Sequence, residues 1–251
     1  MCKRNERIGM RKLNNFGSEM VVIRYNNIND ITVEFPEYNY TTKTTWRLFK
    51  DGEIRCPYEP RTYGKGYHGE GKYKTKINKK RTKAYNVWRG MLERCYGKAY
   101  QEKHPTYRGC KVCDEWLNFQ NFAEWYEENY YEVEGQRTDL DKDILVKGNK
   151  IYSPETCIFA PQGINVLFIK RTNDRGGYQI GVIEDKKAKT NKYETSVNGM
   201  YIGRFSTSHE AFLAYKFNKE LLIQSIAQEY KDKIPTKLYE ALMNYQVEEN
   251  D

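Results

Sequence analysis

Between Asp139 and Asn165 the chain reads Asp-Leu-Asp-Lys-Asp-Ile-Leu-Val-Lys-Gly-Asn-Lys-Ile-Tyr-Ser-Pro-Glu-Thr-Cys-Ile-Phe-Ala-Pro-Gln-Gly-Ile-Asn, and no other stretch limits the fold as much. Asp139, Asp141 and Asp143 occupy alternate positions, so an extended strand would point all three the same way. Carboxylates that close repel one another, and a divalent cation is the usual remedy. Lys147-Gly148-Asn149 is a turn signal, after which Ile151-Tyr152 can pair back as a second strand. Ser153-Pro154-Glu155 predicts a helix start, with Ser153 as N-cap and Pro154 at the first helical position. The expected unit is a β-hairpin followed by a helix, with an acidic cluster near the join.

Charge is unevenly spread around this stretch. The 251 residues carry a net +8, which points to an anionic partner. Arg61 to Lys98 holds 12 Lys/Arg against two acids, a local +10, whereas Asp114 to Glu155 holds 11 acids against four bases, a local −7. A basic half beside an acidic half suits a chain that grips a phosphate backbone next to a cation site; a solvated linker before an acidic helix reads equally well. A mean hydropathy of −0.90 favours several small cores. No apolar run of membrane-spanning length and no apolar leader is present, so the expectation is a protein of a bacterial host's cytosol without a membrane partner. In that compartment the six cysteines are thiols or metal ligands, not disulfides.

The fold class expected is α+β in several modules. Residues 1–70 hold Met20-Val-Val-Ile-Arg-Tyr, Ile31-Thr-Val-Glu-Phe and Thr45-Trp-Arg-Leu-Phe as strands, with Asp51-Gly52 as a hairpin signal, and predict a small β-barrel. Residues 71–83 form a basic linker whose Lys74, Lys76, Lys79, Lys80, Arg81 and Lys83 could lie along a phosphate backbone. Residues 84–170 make a domain in which Ala84, Val87, Trp88, Met91, Leu92 and Cys95 recur at helical spacing, followed by an aromatic helix from Trp116. Cys110-x-x-Cys113 with Cys95 and either Cys157 or His104 could supply four zinc ligands, but only half of a zinc signature is met, which favours core thiols. In residues 171–228, Tyr178-Gln-Ile-Gly-Val-Ile is a strand, Asn198-Gly199 a hairpin turn and Thr207-Ser-His-Glu210 a capping box. Residues 229–251 end in a helix that starts at Pro235.

The pattern Leu-Asp-Lys-Asp … Tyr-Ser-Pro-Glu-Thr-Cys … Asn resembles the ββα-metal (His-Me finger-like) core of HNH endonucleases, closest to variants of bacteriophages and mobile elements. By that resemblance Asp141 is the metal-binding carboxylate and Asn165 the helix ligand, with Mg²⁺ as the metal. Lys142 stands where the histidine general base belongs, and Thr156 where the asparagine that orients it belongs. An ammonium with a pKa of about 10.4 is a poor proton acceptor at neutral pH. The resemblance therefore implies a scaffold kept and a base lost.

Tyr178-x-Ile-Gly-Val, Tyr201-Ile-Gly-Arg-Phe and Glu210-Ala-Phe-Leu-Ala-Tyr resemble the Apetala-type (ethylene-response-factor-like) DNA-binding domain, whose three-stranded sheet lies in the major groove. That resemblance makes Arg175, Gln179, Lys192, Glu194 and Arg204 the DNA-facing candidates. The leading expectation is a double-stranded DNA-binding protein on a degenerate nuclease scaffold. One alternative is an active Mg²⁺-dependent homing or nicking endonuclease in which Asp139, Asp143 or a metal-bound water replaces the base. Another is a phage protein that binds a host factor.

Overall fold

The structure, a computed structural model, describes residues 6–169, 177–249 and 251. It is mixed α+β with several small antiparallel sheets, and it divides into two compact units, residues 1–128 and 129–251. The domain expected over residues 84–170 is thus distributed over both units.

The first unit opens with an antiparallel meander of β1 (Arg11–Leu13), β2 (Glu19–Asn27), β3 (Asp30–Phe35) and β4 (Tyr40–Thr44). Alternation along β3 buries Ile31, Val33 and Phe35. In β2 a register shift between Val22 and Arg24 turns Ile23 outward and brings Tyr25 back onto the buried face opposite Ile31. The sheet is open: β4 does not return to β1, so the expected barrel does not form. The predicted strand at Thr45 is instead the helix α1 (Trp46–Asp51). Thr45 Oγ1 accepts the Leu48 N–H, and Gly52, at φ 71°, donates its N–H to the carbonyls of Leu48 and Phe49. The Asp51-Gly52 pair that reads as a hairpin is a helix C-terminus, because a left-handed glycine serves both.

A short basic hairpin of β5 (Lys76–Ile77) and β6 (Lys80–Arg81) comes next in the same unit. α2 (Lys83–Tyr96) then buries Trp88, Met91, Leu92 and Cys95 at the predicted spacing. Each large apolar side chain of that stripe contributes on the order of 1.5–3 kcal/mol by leaving water. α3 (Lys98–Lys103), α4 (Asp114–Leu117) and α5 (Phe119–Asn129) follow, and Trp88 Nε1 donates to the Trp116 carbonyl at 2.7 Å.

In the second unit β7 (Thr138–Asp141) pairs antiparallel with β8 (Ile158–Pro161), placing Asp141 opposite Ile158. This corrects the expected pairing with Ile151-Tyr152. Thr156 Oγ1 donates to the Ile151 carbonyl at 2.9 Å, and the Cys157 N–H to the Ser153 carbonyl at 3.0 Å. These bonds close a turn where Ser153-Pro154-Glu155 predicted a helix. The helix that does follow the strand pair is the single turn α6 (Gln162–Asn165).

β9 (Val182–Glu184), β10 (Tyr193–Val197) and β11 (Met200–Phe205) form the predicted three-stranded antiparallel sheet. Asn198 and Gly199 take the positive φ values, 49° and 81°, that their tight turn demands. The strand expected from Tyr178 begins only at Val182. The capping box at Thr207 and Glu210 is formed and starts α7 (Ser208–Tyr230). At 23 residues, α7 is about 35 Å long. One end buries Ala211, Phe212 and Tyr215 against the sheet, and the other packs Ile223 and Ala227 with Ile158, Ile164 and α8 (Thr236–Met243). A single helix is thus the common wall of two cores, including the docked C-terminal helix.

Glu59 is the buried ionic element of the first unit, 4% exposed. Burial pushes its carboxyl up, but hydrogen bonds from Ser18, Arg61 and Asn14 outweigh this and leave it below the usual value of 4.5. A lowered folded-state value contributes stability that is complete above pH 4.5 and lost as pH falls through it. Glu59→Gln is expected to destabilise the chain at pH 7 by about 1.5–3 kcal/mol, with the gap closing below pH 4.5. Urea unfolding at several pH values measures this; a gap independent of pH would contradict it.

Candidate nucleic-acid interface and the ββα core

The basic segment is built into the first unit by one amide. Gln120, on α5, accepts the Tyr73 N–H on Oε1 at 3.0 Å and donates from Nε2 to the carbonyls of Tyr73 (3.0 Å) and His68 (3.3 Å). Gly71 lies so near that a Cβ would collide with the Gln120 side chain, and a Cβ on Gly69 would collide with Asn118. These glycines permit close approach of the backbone to the side chains of Asn118 and Gln120. Lys72 and the Tyr73 hydroxyl meet Glu127 at 3.3 and 2.7 Å.

Beyond that anchor the chain forms the β5–β6 hairpin, turned by Asn78 and Lys79 at φ 49° and 64°. Thr82 then caps α2 by accepting the Tyr85 N–H. Lys74, Lys76, Lys79, Lys80, Arg81 and Lys83 are all exposed. Among the described residues, Lys74, Lys76, Lys79, Lys80 and Arg81 make no ion pair, so their charge faces water uncompensated. Ile77, in the same hairpin, is 59% exposed.

On the sheet of the second unit, Ile183, Glu194 and Arg204 stand side by side in register on the face away from α7. Arg204 is held by Asp185 at 2.6 Å and by Glu194 at 3.3 Å. Those carboxylates raise its pKa against the lowering effect of burial, so its fork is committed to the protein. Lys192 is exposed and Gln179 half-buried. Arg175 lies outside the described residues. Tyr201, which opens the Tyr201-Ile-Gly-Arg-Phe motif, and Met200 border this face, 57% and 70% exposed.

The acidic cluster resolves into separate bonds. β7 ends at Asp141, so Asp143 lies beyond the strand. Asp139 takes the Arg137 guanidinium at 2.9 Å. Asp141 Oδ1 accepts the N–H groups of Asp143 (2.7 Å) and Ile144 (2.8 Å), an Asx turn that ends the strand. Burial nevertheless pushes the Asp141 carboxyl above its usual value, outweighing those two bonds. Lys142 is 6% exposed; its Nζ donates to Asp143 Oδ2 at 2.5 Å and to the Asn149 carbonyl at 2.8 Å. Where the resemblance places a proton acceptor, the chain has an ion-paired donor. Thr156 is occupied by the turn at Ser153, and Asn165 Nδ2 donates to the Ala160 carbonyl at 3.4 Å.

Mg²⁺ is commonly held by one or two carboxylates together with substrate phosphates. The HNH resemblance assigns it to the Asp141 carboxylate and the Asn165 amide oxygen, of which Asp141 already accepts two backbone N–H groups. Among the described residues no three His, Cys, Asp or Glu side chains gather as a metal-holding group, Asp139, Asp141 and Asp143 included. Cys95, Cys110 and Cys157 are buried and Cys113 half-buried. Comparisons with protein-family models, with curated proteins and with solved structures found no match.

Gln120 is the positioning residue that the sequence conceals, because its partner Tyr73 lies 47 residues away and nothing local marks the pair. Lys142→Met, which keeps the aliphatic stem, is expected to lower stability by about 1–3 kcal/mol because the Asn149 carbonyl loses its donor. Asp143→Asn is expected to cost less than about 1 kcal/mol, since Asp143 is exposed and water replaces the pair. Chemical denaturation of both variants checks this; a neutral Lys142→Met would remove the structural role of the ammonium.

Proposed function

We propose that this chain is a double-stranded DNA-binding protein of phage or mobile-element type, built on an HNH-like ββα scaffold that has lost its general base. The observation that carries the reading is the basic hairpin. Five exposed cations without ion pairs among the described residues, Lys74, Lys76, Lys79, Lys80 and Arg81, project from one short, anchored element. A polyanion that meets them releases counterions, and the gain grows with the number of phosphates neutralised. A two-stranded ribbon also has the dimensions to enter a major groove.

Two further features support it. The β9–β11 sheet backed by α7 has the layout that the Apetala-type resemblance implies. Its Arg204 is already paired with carboxylates, so base reading by that residue would require Asp185 and Glu194 to yield it. This favours binding that tolerates sequence, led by the phosphate backbone. The strand pair β7–β8 followed by α6 keeps the ββα order, with Lys142 buried and ion-paired at the position of the base.

A gel shift on duplex DNA titrated with salt tests the proposal. Affinity is expected to fall linearly on a log–log plot. Replacing Lys76, Lys79, Lys80 and Arg81 with alanine should make the slope shallower by about one for each phosphate that is no longer neutralised. Binding that is indifferent to salt, or no binding, would turn the reading toward a host protein. Supercoiled plasmid incubated with the wild-type chain and Mg²⁺ is expected to stay unnicked. Chelator-sensitive nicking that Asp141→Ala abolishes would establish the endonuclease alternative.

A further inference from the structure

A cleft of about 360 Å³ in the first unit, separate from the basic hairpin, presents two arginines and a histidine. Its size is within the range of small-ligand sites. Arg55 and Arg61 both lie against the Phe16 ring, their guanidinium carbons 5.2 and 4.0 Å from its centroid. An aromatic face fixes a guanidinium in place without using any of its N–H donors.

The two arginines differ in what they already hold. Arg61 gives Nε and Nη2 to Glu59 Oε2, which leaves Nη1. Glu59 is in turn engaged by Asn14 at 2.6 Å, so this buried carboxylate serves as the fixed counterion of one guanidinium. Arg55 is exposed and, among the described residues, makes no hydrogen bond or ion pair. The other acid of the cleft, Glu70, accepts the Tyr58 hydroxyl at 3.2 Å. One guanidinium therefore faces the cleft whole and a second in part.

His68 reports the field they create. Burial lowers its pKa first, and the charges of Arg61 and then Arg55 lower it further, with no carboxylate opposing them. The formal charges of the cleft balance, Arg55 and Arg61 against Glu59 and Glu70, and both guanidinium groups lie near enough to act on His68. Forked N–H donors held at such a place match the tetrahedral oxygens of a phosphate group. A bare ion would leave most of the space empty, and the Tyr40 ring and Pro57 supply an apolar wall for whatever carries the phosphate.

We propose that this cleft binds a phosphate group carried by a nucleotide, received by Arg55 and by the remaining Nη1 of Arg61. The nucleotide is either free or part of a nucleic-acid backbone. The site stands on the cleft alone and does not depend on the hairpin's binding DNA.

The chain has three histidines, so the ring resonance of His68 can be assigned by substitution and followed by NMR in phosphate-free buffer. Three probes are added separately: inorganic phosphate, the 5′-monophosphate of deoxyadenosine, and a duplex with hydroxyl ends. A saturable shift of His68 is expected, with Arg55→Ala weakening the midpoint about tenfold or more and Arg55→Lys falling between. Arg55 is exposed and unbonded, so its replacement leaves the fold intact, whereas Arg61→Ala would strand Glu59. Saturation by phosphate or the mononucleotide identifies a free phosphomonoester, and saturation by the duplex alone identifies the backbone; either supports the site. No saturable shift with any probe, or an unchanged midpoint in Arg55→Ala, overturns it.

Discussion

The carboxamide of Gln120 is the group on which the cationic surface of the first unit depends. It imitates a strand edge, accepting from Tyr73 N–H and donating to the carbonyls of Tyr73 and His68. Backbone groups that would otherwise need water are satisfied, and the chain is pinned at two points. Downstream of Tyr73 the basic hairpin begins; upstream, His68 is set in the wall of the arginine cleft. One amide thus positions both cationic features. Neighbouring interactions act in the same sense, with Tyr67 bridging to Asn118 and Tyr73 bonded to Glu127.

The distribution of charge follows from which cations have partners inside the protein. Lys142, Arg61 and Arg204 are each tied to carboxylates and act as structural ions. Lys74, Lys76, Lys79, Lys80 and Arg81 are not, and they gather on, or just before, a two-residue-per-strand hairpin that contributes little to any core. Such an element is high in repulsion and small in burial, so it adds little to the stability of the first unit. The β7–β8 strand pair shows the opposite arrangement. Asp141 shapes the end of β7, Lys142 closes onto Asn149, and Thr156 holds the turn that sets β8 in register.

Local signals are legible in the sequence and distant ones are not. The Asn198-Gly199 turn, the Thr207–Glu210 capping box and the apolar stripe of α2 each lie within a few residues and appear as expected. Thr45 and Gly52 mislead because a β-region threonine and a left-handed glycine suit a hairpin as well as a capped helix. Ser153-Pro154 has the residue types of a helix start, yet its hydroxyl goes to Thr156 and the chain turns into β8. That Ile158–Pro161, and not Ile151-Tyr152, pairs with β7 is a register choice made by the burial of Ile158 and Ala160 against Ile164 and Ile223. At the site, the lysines are visible as charge. Their anchoring by Gln120 and the meeting of Arg55, Arg61 and His68 are not, since each joins residues with no periodicity between them.

The cations of the β5–β6 hairpin are the surface proposed to meet duplex DNA. Lysine acylation read by mass spectrometry, with and without duplex DNA at low salt, tests it residue by residue. Strong protection of Lys74, Lys76, Lys79 and Lys80 is expected, while exposed Lys43 on β4 is labelled equally in both states. Equal labelling of the hairpin lysines in the presence of bound DNA, with protection appearing elsewhere, would contradict it.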